Sequence, residues 1–482
     1  MRLKAILYLL GALSIFLSLS MLIPLLVSLS YGEGDTLAFL LSAGITFAIG
    51  LPFFLLFHVS EIEINHKEGF AIVAFGWVLI GLFGALPYLF SGALGSWIDA
   101  YFESVSGFTT TGATVFPSLK GLPHGVLLWR SLTHWLGGMG IILFSMAILP
   151  ILGVGGMQLY RVEAPSVASS DRLAPRIVAT ARLLWLVYLI ITGALVFFLL
   201  IAGMPLFDAV IHAFGTVATG GFSNMELSIE SYNSPLIESI ILVFMLLSAT
   251  NFALHFNLLH RGISTYKNNT EFRFYIAIIF ISVVLVTWNL RANYYPTFVE
   301  AFRYASFNTV SISTTTGFSS TDFARWPYFS QYILVFLMII GGSVGSTAGA
   351  IKTLRITILL KAGYRELRRL IHPHAVVPLK LNSRVVPSEA VMGVMGFTFL
   401  YLLIFVLSSL AMTFMGMDII SAISSVASTL GGVGPGLGKL GPLSNYGSIL
   451  PLGKGVLIMN MLLGRLEIYT ILVLFLPEFW RR

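Results

Sequence analysis

Apolar runs close to the twenty residues that cross a bilayer as a helix constrain this chain more than any other feature. They lie near 5–30, 36–58, 68–91, 124–154, 178–203, 232–258, 271–290, 328–360, 386–416 and 447–477, so about ten spans are expected. With 57% apolar and 10% charged residues, the chain lacks the polar surface that a water-soluble fold needs. It is expected to be an all-α integral membrane protein, because a helix satisfies its own backbone in hydrocarbon. The start Met1-Arg2-Leu3-Lys4 imitates a signal peptide, but the apolar run after it is too long and no small-x-small site follows, so it reads as a retained span. There is no cysteine, which excludes disulfides, thiolate metal sites and thiol redox chemistry.

Charge placement orients the spans. Arg2, Lys4, Lys67, Arg161 to Arg182, Arg261 to Arg273, Lys352 to Arg384, Arg481 and Arg482 fall on one set of ends and connections, whereas Lys120, Arg130, Arg291, Arg303, Arg325, Lys439 and Lys454 fall on the other. By the positive-inside rule both termini are expected in the cytoplasm. The same rule accounts for the net charge of +7 without any nucleic-acid partner. The clusters Arg161 to Arg182 and Arg365 to Arg369 also suit a cytoplasmic partner or anionic lipid.

Between several spans lies a stretch too short to cross and too apolar for a loop, such as "DAYFESVSGFTTTGAT" and "FDAVIHAFGTVATGGFS". These read as re-entrant. Four segments share one plan: a span, a short amphipathic helix, a turn built on glycine, and a second span. The turns are Thr110-Thr111-Gly112, Ala218-Thr219-Gly220, Thr315-Thr316-Gly317 and Gly432-Val433-Gly434. Two spans precede the first unit. The expected organisation is a two-helix segment at 1–66 and four pseudo-symmetric span–pore helix–filter loop–span repeats at 67–160, 161–262, 263–375 and 376–482, arranged around one pore.

Such turns suit a cation. Stacked backbone carbonyls from four loops can replace the ion's hydration shell. Glycine permits the φ > 0 conformation that helps neighbouring carbonyls point the same way, and stiff threonine can add a hydroxyl oxygen or tie the loop down. A short helix running into each loop aims its negative carboxyl end at the axis, so no acidic ring is needed.

The motifs "TTTGAT" at 109–114, "ATGGFS" at 218–223, "STTTGFS" at 313–319, "VGPGLG" at 433–438, "GGSVGSTAGA" at 341–350, "GGMQLYR" at 155–161 and "GRLEIYT" at 464–470 resemble those of the Trk/Ktr/HKT superfamily of potassium transporters, most closely its bacterial TrkH type. The resemblance covers essentially the whole chain. It implies potassium as substrate, bound by the twelve turn residues named above, and glycine at 112 is similar to potassium-preferring relatives where sodium-favouring ones carry serine. It also implies a homodimer in the bacterial inner membrane and control by a cytoplasmic nucleotide-binding subunit of the TrkA type. No tightly bound cofactor is expected, and no phosphate-loop or dinucleotide fingerprint occurs in this chain. Where many relatives carry paired asparagines before "VGPG", this chain has Gly431-Gly432, which removes two tethers and adds backbone freedom.

The span 328–360 contains Gly341, Gly342, Gly345, Ser346 and Gly349. Four glycines in ten residues, each costing a helix about 1 kcal/mol relative to alanine, predict a break. The spacing of Gly341, Gly345 and Gly349 equally suits close helix packing. The resemblance favours an intramembrane loop that obstructs the pore until a partner moves it. Arg465, deep in an apolar span, needs a cavity or partner, and Glu467 two residues on cannot share its face. The resemblance makes Arg465 an electrostatic barrier beside the loop; an interhelical ion pair or a snorkelling side chain is the structural alternative.

His134, His212 and His255 lack metal-ligand spacing and read as packing or lumen residues. Asp99 and Glu103 suit either the outer mouth or a helix N-terminus. No zinc-protease motif, nucleophile elbow or paired intramembrane aspartates support an enzyme. A sodium- or proton-coupled potassium symporter remains the alternative, because it too would use repeats and broken helices.

Overall fold

The computed structural model describes residues 2–59, 65–147, 173–382 and 384–481. The motif at 155–161, the expected boundary at 160/161, Arg161 and Arg172 lie outside the described residues. Helices α1 (Leu3–Tyr31) and α2 (Thr36–Leu56) form a hairpin, followed by α3 (His66–Gly84) and its short continuation α4 (Leu86–Phe90). Next come α5 (Trp97–Phe108), α6 (His124–Ala147), α7 (Leu173–Ile201), α8 (Leu206–Val217), α9 (Pro235–Ser248) and α10 (Phe252–Arg261). The one-turn α11 (Ser264–Lys267) leads to α12 (Thr270–Asn293), α13 (Phe298–Ser313), α14 (Tyr328–Ile339) and α15 (Thr353–Ile371). Two short antiparallel strands, β1 (Lys380–Leu381) and β2 (Arg384–Val385), precede α16 (Ser388–Phe414), α17 (Ile419–Gly431), α18 (Pro451–Arg465), α19 (Tyr469–Leu472) and α20 (Pro477–Trp480).

Among the described residues six helices are long and apolar enough to cross a membrane, or up to eight if each of two bent pairs, α9 with α10 at 98° and α18 with α19 at 111°, counts as one span. The remaining two expected spans correspond to α6 and to α14 plus α15, which the glycine-rich segment separates. Large apolar side chains such as Phe197, Trp288, Phe399 and Phe414 face outward. On a water-soluble protein that surface would aggregate; in lipid it is the solvated one.

The hairpin α1–α2 packs closely because Gly11 and Gly50 leave room: a methyl built on Gly11 would stand 2.6 Å from the Phe54 nitrogen. Around α3, α5, α6 and α18 a continuous core includes Trp77, Phe102, Trp129, Tyr446 and Leu457. The ends of the chain meet on one face. The Arg2 N–H donates to Glu68 at 2.6 Å, and Lys67 Nζ donates to the carbonyls of Glu478 and Arg481. The Thr270 N–H donates to Asn382 Oδ1 and Lys361 Nζ to the Lys380 carbonyl, tying the strand pair to α12 and α15.

Candidate functional site

Four short helices, α5, α8, α13 and α17, reach only part-way across and stop at the expected turns. Their starts are favoured locally. Thr297 caps α13 by accepting from the Glu300 N–H, Asp418 caps α17 by accepting from Ser421 at 2.9 Å, and Asp99 and Asp208 occupy the first turns of α5 and α8. None of the four carries lysine or arginine in its last turn. Their carboxyl ends therefore keep roughly half a negative charge each.

The four turns share one backbone. The N–H groups of Thr111, Gly220, Thr316 and Val433 donate to the carbonyls of Ser106, Gly215, Ser311 and Ser428 at 2.8–2.9 Å. The residue before each is left-handed: Thr110 (φ 52°), Thr219 (53°), Thr315 (56°) and Gly432 (69°). The residue after each is a left-handed glycine: Gly112 (φ 81°), Gly221 (80°), Gly317 (83°) and Gly434 (103°). The second turn thus sits one residue from its expected register. Gly221, rather than Gly220, matches the other three glycines, while Gly220 takes the place of Thr111 and Ala218 ends its helix as Thr109 and Thr314 end theirs. Anchoring on Gly-Phe-Ser, common to 221–223 and 317–319, would have found this in the sequence. Three β-branched threonines held at positive φ cost roughly 1–2 kcal/mol each. Such strain persists only where the surroundings over-determine the backbone.

The turns also touch in a ring. A methyl on Gly112 would stand 2.0 Å from the Gly220 carbonyl oxygen, one on Gly221 2.0 Å from that of Thr316, one on Gly317 1.9 Å from that of Val433, and one on Gly434 2.7 Å from that of Thr111. Each glycine therefore lets the next loop's carbonyl approach, and the fourth returns to the first. Gly112, Gly221, Gly317 and Gly434 together line a cavity of about 270 Å³ that also reaches Arg130, Glu226 and Asn445.

Side chains behind the ring fix it. The hydroxyls of Thr109 and Thr111 pair at 2.8 Å, and those of Thr314 and Thr316 repeat the pair at 2.8 Å. The hydroxyl of Tyr446 donates to the Gly434 carbonyl at 2.8 Å. Glu103 is fully buried on α5, so it belongs neither to the outer mouth nor to a helix N-terminus. It accepts from Arg130 Nε at 2.8 Å and from the Val115 N–H at 2.9 Å, and Arg130 Nη1 donates to the Ser223 carbonyl at 3.0 Å. This pair joins the first two turns. Arg130, a single cation inside an apolar stretch, was the sequence signal for it. Asp99 holds Lys454 Nζ at 2.5 Å instead of facing open solvent.

The three histidines are packing residues. His134 packs against Phe222 with the ring centres 4.1 Å apart and tilted by 46°, directly behind Gly220, His212 contacts Ser223 and the Asp208 carbonyl, and His255 contacts Tyr266 and the Leu247 carbonyl. No group of metal-ligating side chains occurs among the described residues.

Residues 340–352 are not helical, so the glycine-rich segment is a break and not a packing face of a continuous helix. A parallel bridge between Ile340 and Ile351 closes its base. The segment crosses under the ring: the Gly349 N–H donates to Thr315 Oγ1 at 2.7 Å, and Thr347 Oγ1 donates to the Val217 carbonyl at 3.0 Å. Gly341 and Gly342 pack on the carbonyls of Gly349 and Ala249, and the Gly345 carbonyl accepts from the Phe252 N–H at the α9–α10 bend. Ser346 closes the turn by donating to the Ser343 carbonyl at 2.6 Å. Gly431 has no room for an asparagine side chain: a methyl there would stand 2.3 Å from the Met338 oxygen, and Gly349 packs on its carbonyl. This glycine buys close approach of the loop, and the expectation of added backbone freedom is corrected to that extent.

Arg465 ends α18 beside the same loop. It is buried, donates to the Thr347 carbonyl at 2.8 Å and to that of Gly137 at 3.4 Å, and has no carboxylate partner among the described residues. Glu467 pairs with Arg355 instead. The interhelical ion pair considered for Arg465 is therefore absent there.

Comparison with known proteins gives a consistent result. A family model described as "TrkH: Cation transport protein" matches residues 38–482. A Trk system potassium uptake protein TrkH from Escherichia coli is 45% identical over 100% of both chains, and one from Halomonas elongata is 42% identical over the same share. The crystal structure of the potassium transporter TrkH from Vibrio parahaemolyticus is similar with a TM-score of 0.92 and 40% identity, covering 100% of both chains.

Proposed function

The chain belongs to the TrkH family of cation transport proteins, a transport protein and not an enzyme, and from that premise we propose that it takes up potassium across the bacterial inner membrane through one selective pore. The observation that carries this reading is the closed ring of four turns, each with the same left-handed pair, lining one cavity. The four repeats at 67–160, 161–262, 263–375 and 376–482 then surround that axis, preceded by the two-helix segment at 1–66. Potassium sheds water against carbonyls of Thr110, Thr111 and Gly112, of Thr219, Gly220 and Gly221, of Thr315, Thr316 and Gly317, and of Gly432, Val433 and Gly434. Four helix carboxyl ends supply roughly two negative charges without an acidic side chain.

Below the ring, residues 341–350 obstruct the path and Arg465 adds a positive barrier. A gate built this way must be moved by something outside the membrane. The uptake relatives are named for a Trk system, and this chain's basic face suits a cytoplasmic nucleotide-binding regulatory subunit. Both termini lie on that face, and two copies of the chain pair as a homodimer in contact with membrane lipid. Potassium is the substrate, and no resident cofactor takes part.

The test is the reversal potential of the purified protein in a planar bilayer under opposed potassium and sodium gradients, with and without the regulatory subunit. Discrete currents reversing near the potassium potential are expected. Absence of current, with uptake into vesicles that needs a sodium or proton gradient, would establish a coupled symporter in its place.

A further inference from the structure

One carboxylate oxygen grips both ends of the glycine-rich segment. Glu271 is the second residue of α12 and is 2% exposed. Its Oε1 accepts from the Val344 N–H at 2.7 Å on the entering side, and from Thr353 Oγ1 and the Leu354 N–H, both at 3.2 Å, on the leaving side. Thr353 and Leu354 open α15, whose preceding residue Lys352 offers no side-chain cap. Glu271 thus caps α15 from another helix, satisfying donors that a helix start otherwise leaves unpaired, with the charge sign the helix dipole favours. Charge-assisted bonds of this kind are about twice as strong as neutral ones.

The other attachments of the segment go to groups around α8, α9, α10, α13 and α18 within the membrane: the Ser343 N–H donates to the Ala249 carbonyl, Thr347 to the Val217 and Ser248 carbonyls, the Gly349 N–H to the Thr315 hydroxyl, the Phe252 N–H to the Gly345 carbonyl, and Arg465 to the Thr347 carbonyl. Glu271 alone among its described side-chain anchors stands at a helix end continuous with a connection on the basic face. That connection runs through Gly262 (φ 67°), exposed Ile263 and Lys267, and its Thr270 N–H is held by Asn382. A displacement of residues 262–270 therefore moves the Glu271 carboxylate directly.

We propose that Glu271 is the positioning residue that latches the segment across the path, and that displacement of the 262–270 connection releases it. The proposal rests on the reading of 341–350 as a gate. No atom of Glu271 contacts the permeating ion; it acts through the backbone of Val344 and Leu354.

The test is potassium flux from vesicles containing the purified full chain with no partner added, for Glu271→Ala, Glu271→Gln and deletion of Gly345 to Gly349, with the potassium/sodium permeability ratio recorded alongside. Glu271→Ala is expected to raise basal flux about tenfold and Glu271→Gln, which keeps an acceptor but loses its charge, by a smaller factor, both at an unchanged ratio. If the alanine variant does not fold, the glutamine variant decides. Raised flux in the deletion with wild-type flux in both Glu271 variants would overturn the latch and leave the gate standing. Wild-type flux in the deletion would overturn the gate reading and the latch with it. A changed permeability ratio in the Glu271 variants would assign the residue to filter structure and likewise overturn the proposal.

Discussion

Gly317→Ser is the sharpest perturbation of the ring. At φ 83° any side chain pays the left-handed penalty of roughly 1–2 kcal/mol. The added Cβ would also stand 1.9 Å from the Val433 carbonyl oxygen and 2.9 Å from Pro435 Cδ. Both obstacles belong to the neighbouring loop, and the nearer is backbone, so rotating a side chain cannot relieve it. Restoring ordinary contact requires about 1.5 Å of movement, which takes one carbonyl out of the ion's cage. A lost ligand worth about 1.4 kcal/mol in the difference between the two ions lowers the permeability ratio about tenfold. The assay is the bi-ionic reversal potential of purified protein in a planar bilayer. Gly92→Ser is the control, since Gly92 has a similar φ of 71° but open space around it, and it should leave the ratio unchanged. An unaltered ratio in Gly317→Ser, with protein of normal yield and conductance, would refute the placement of Gly317 beside the ion path.

Arg465→Ala should raise potassium flux, because it removes a buried positive charge held against the Thr347 carbonyl of the obstructing segment, and two like unit charges within roughly 10 Å at an effective dielectric near 20 repel by about 2 kcal/mol. Vesicle flux unchanged from wild type would reduce Arg465 to a structural tie on Thr347. Glu103→Ala leaves the buried Arg130 guanidinium without its carboxylate, a loss of about 3–5 kcal/mol that should lower the thermal midpoint in detergent. The double change Glu103→Met with Arg130→Met should recover most of it, and equal losses in single and double variants would show the charge pairing to be irrelevant. Asp418→Ala should cost about 1 kcal/mol by uncapping α17. The Ser421 N–H holds the Asp418 carboxyl below the ordinary aspartate range, so its contribution is present above that range and fades as pH falls through the depressed value. A wild-type pH dependence of stability in the alanine variant would contradict that assignment.

Much of this protein is written locally. Apolar runs near twenty residues dictate spans, because no other backbone arrangement of such segments is satisfied in lipid. The four short helices and their turns are legible because each repeats the same small-residue ending, whereas the four glycines from Gly341 to Gly349 suit a break and a close-packed helix equally, and only the tertiary structure decides for the break. The remainder depends on residues brought together from far apart in the chain. Hydrogen bonding of Gly220 to Gly215 and contact of Gly221 with Thr316 put Gly221, not Gly220, at the place of the other three left-handed glycines. Burial turned Glu103 from a candidate mouth carboxylate into the partner of Arg130, and Arg465 found the carbonyls of Thr347 and Gly137 in place of an acid. Glu271 gained its grip on Val344 and Leu354 only when α12 and α15 packed side by side. Composition and period set what each segment becomes; which charge a buried group meets, and which carbonyl a glycine admits, is set by packing, because those energies depend on distance in space and not along the chain.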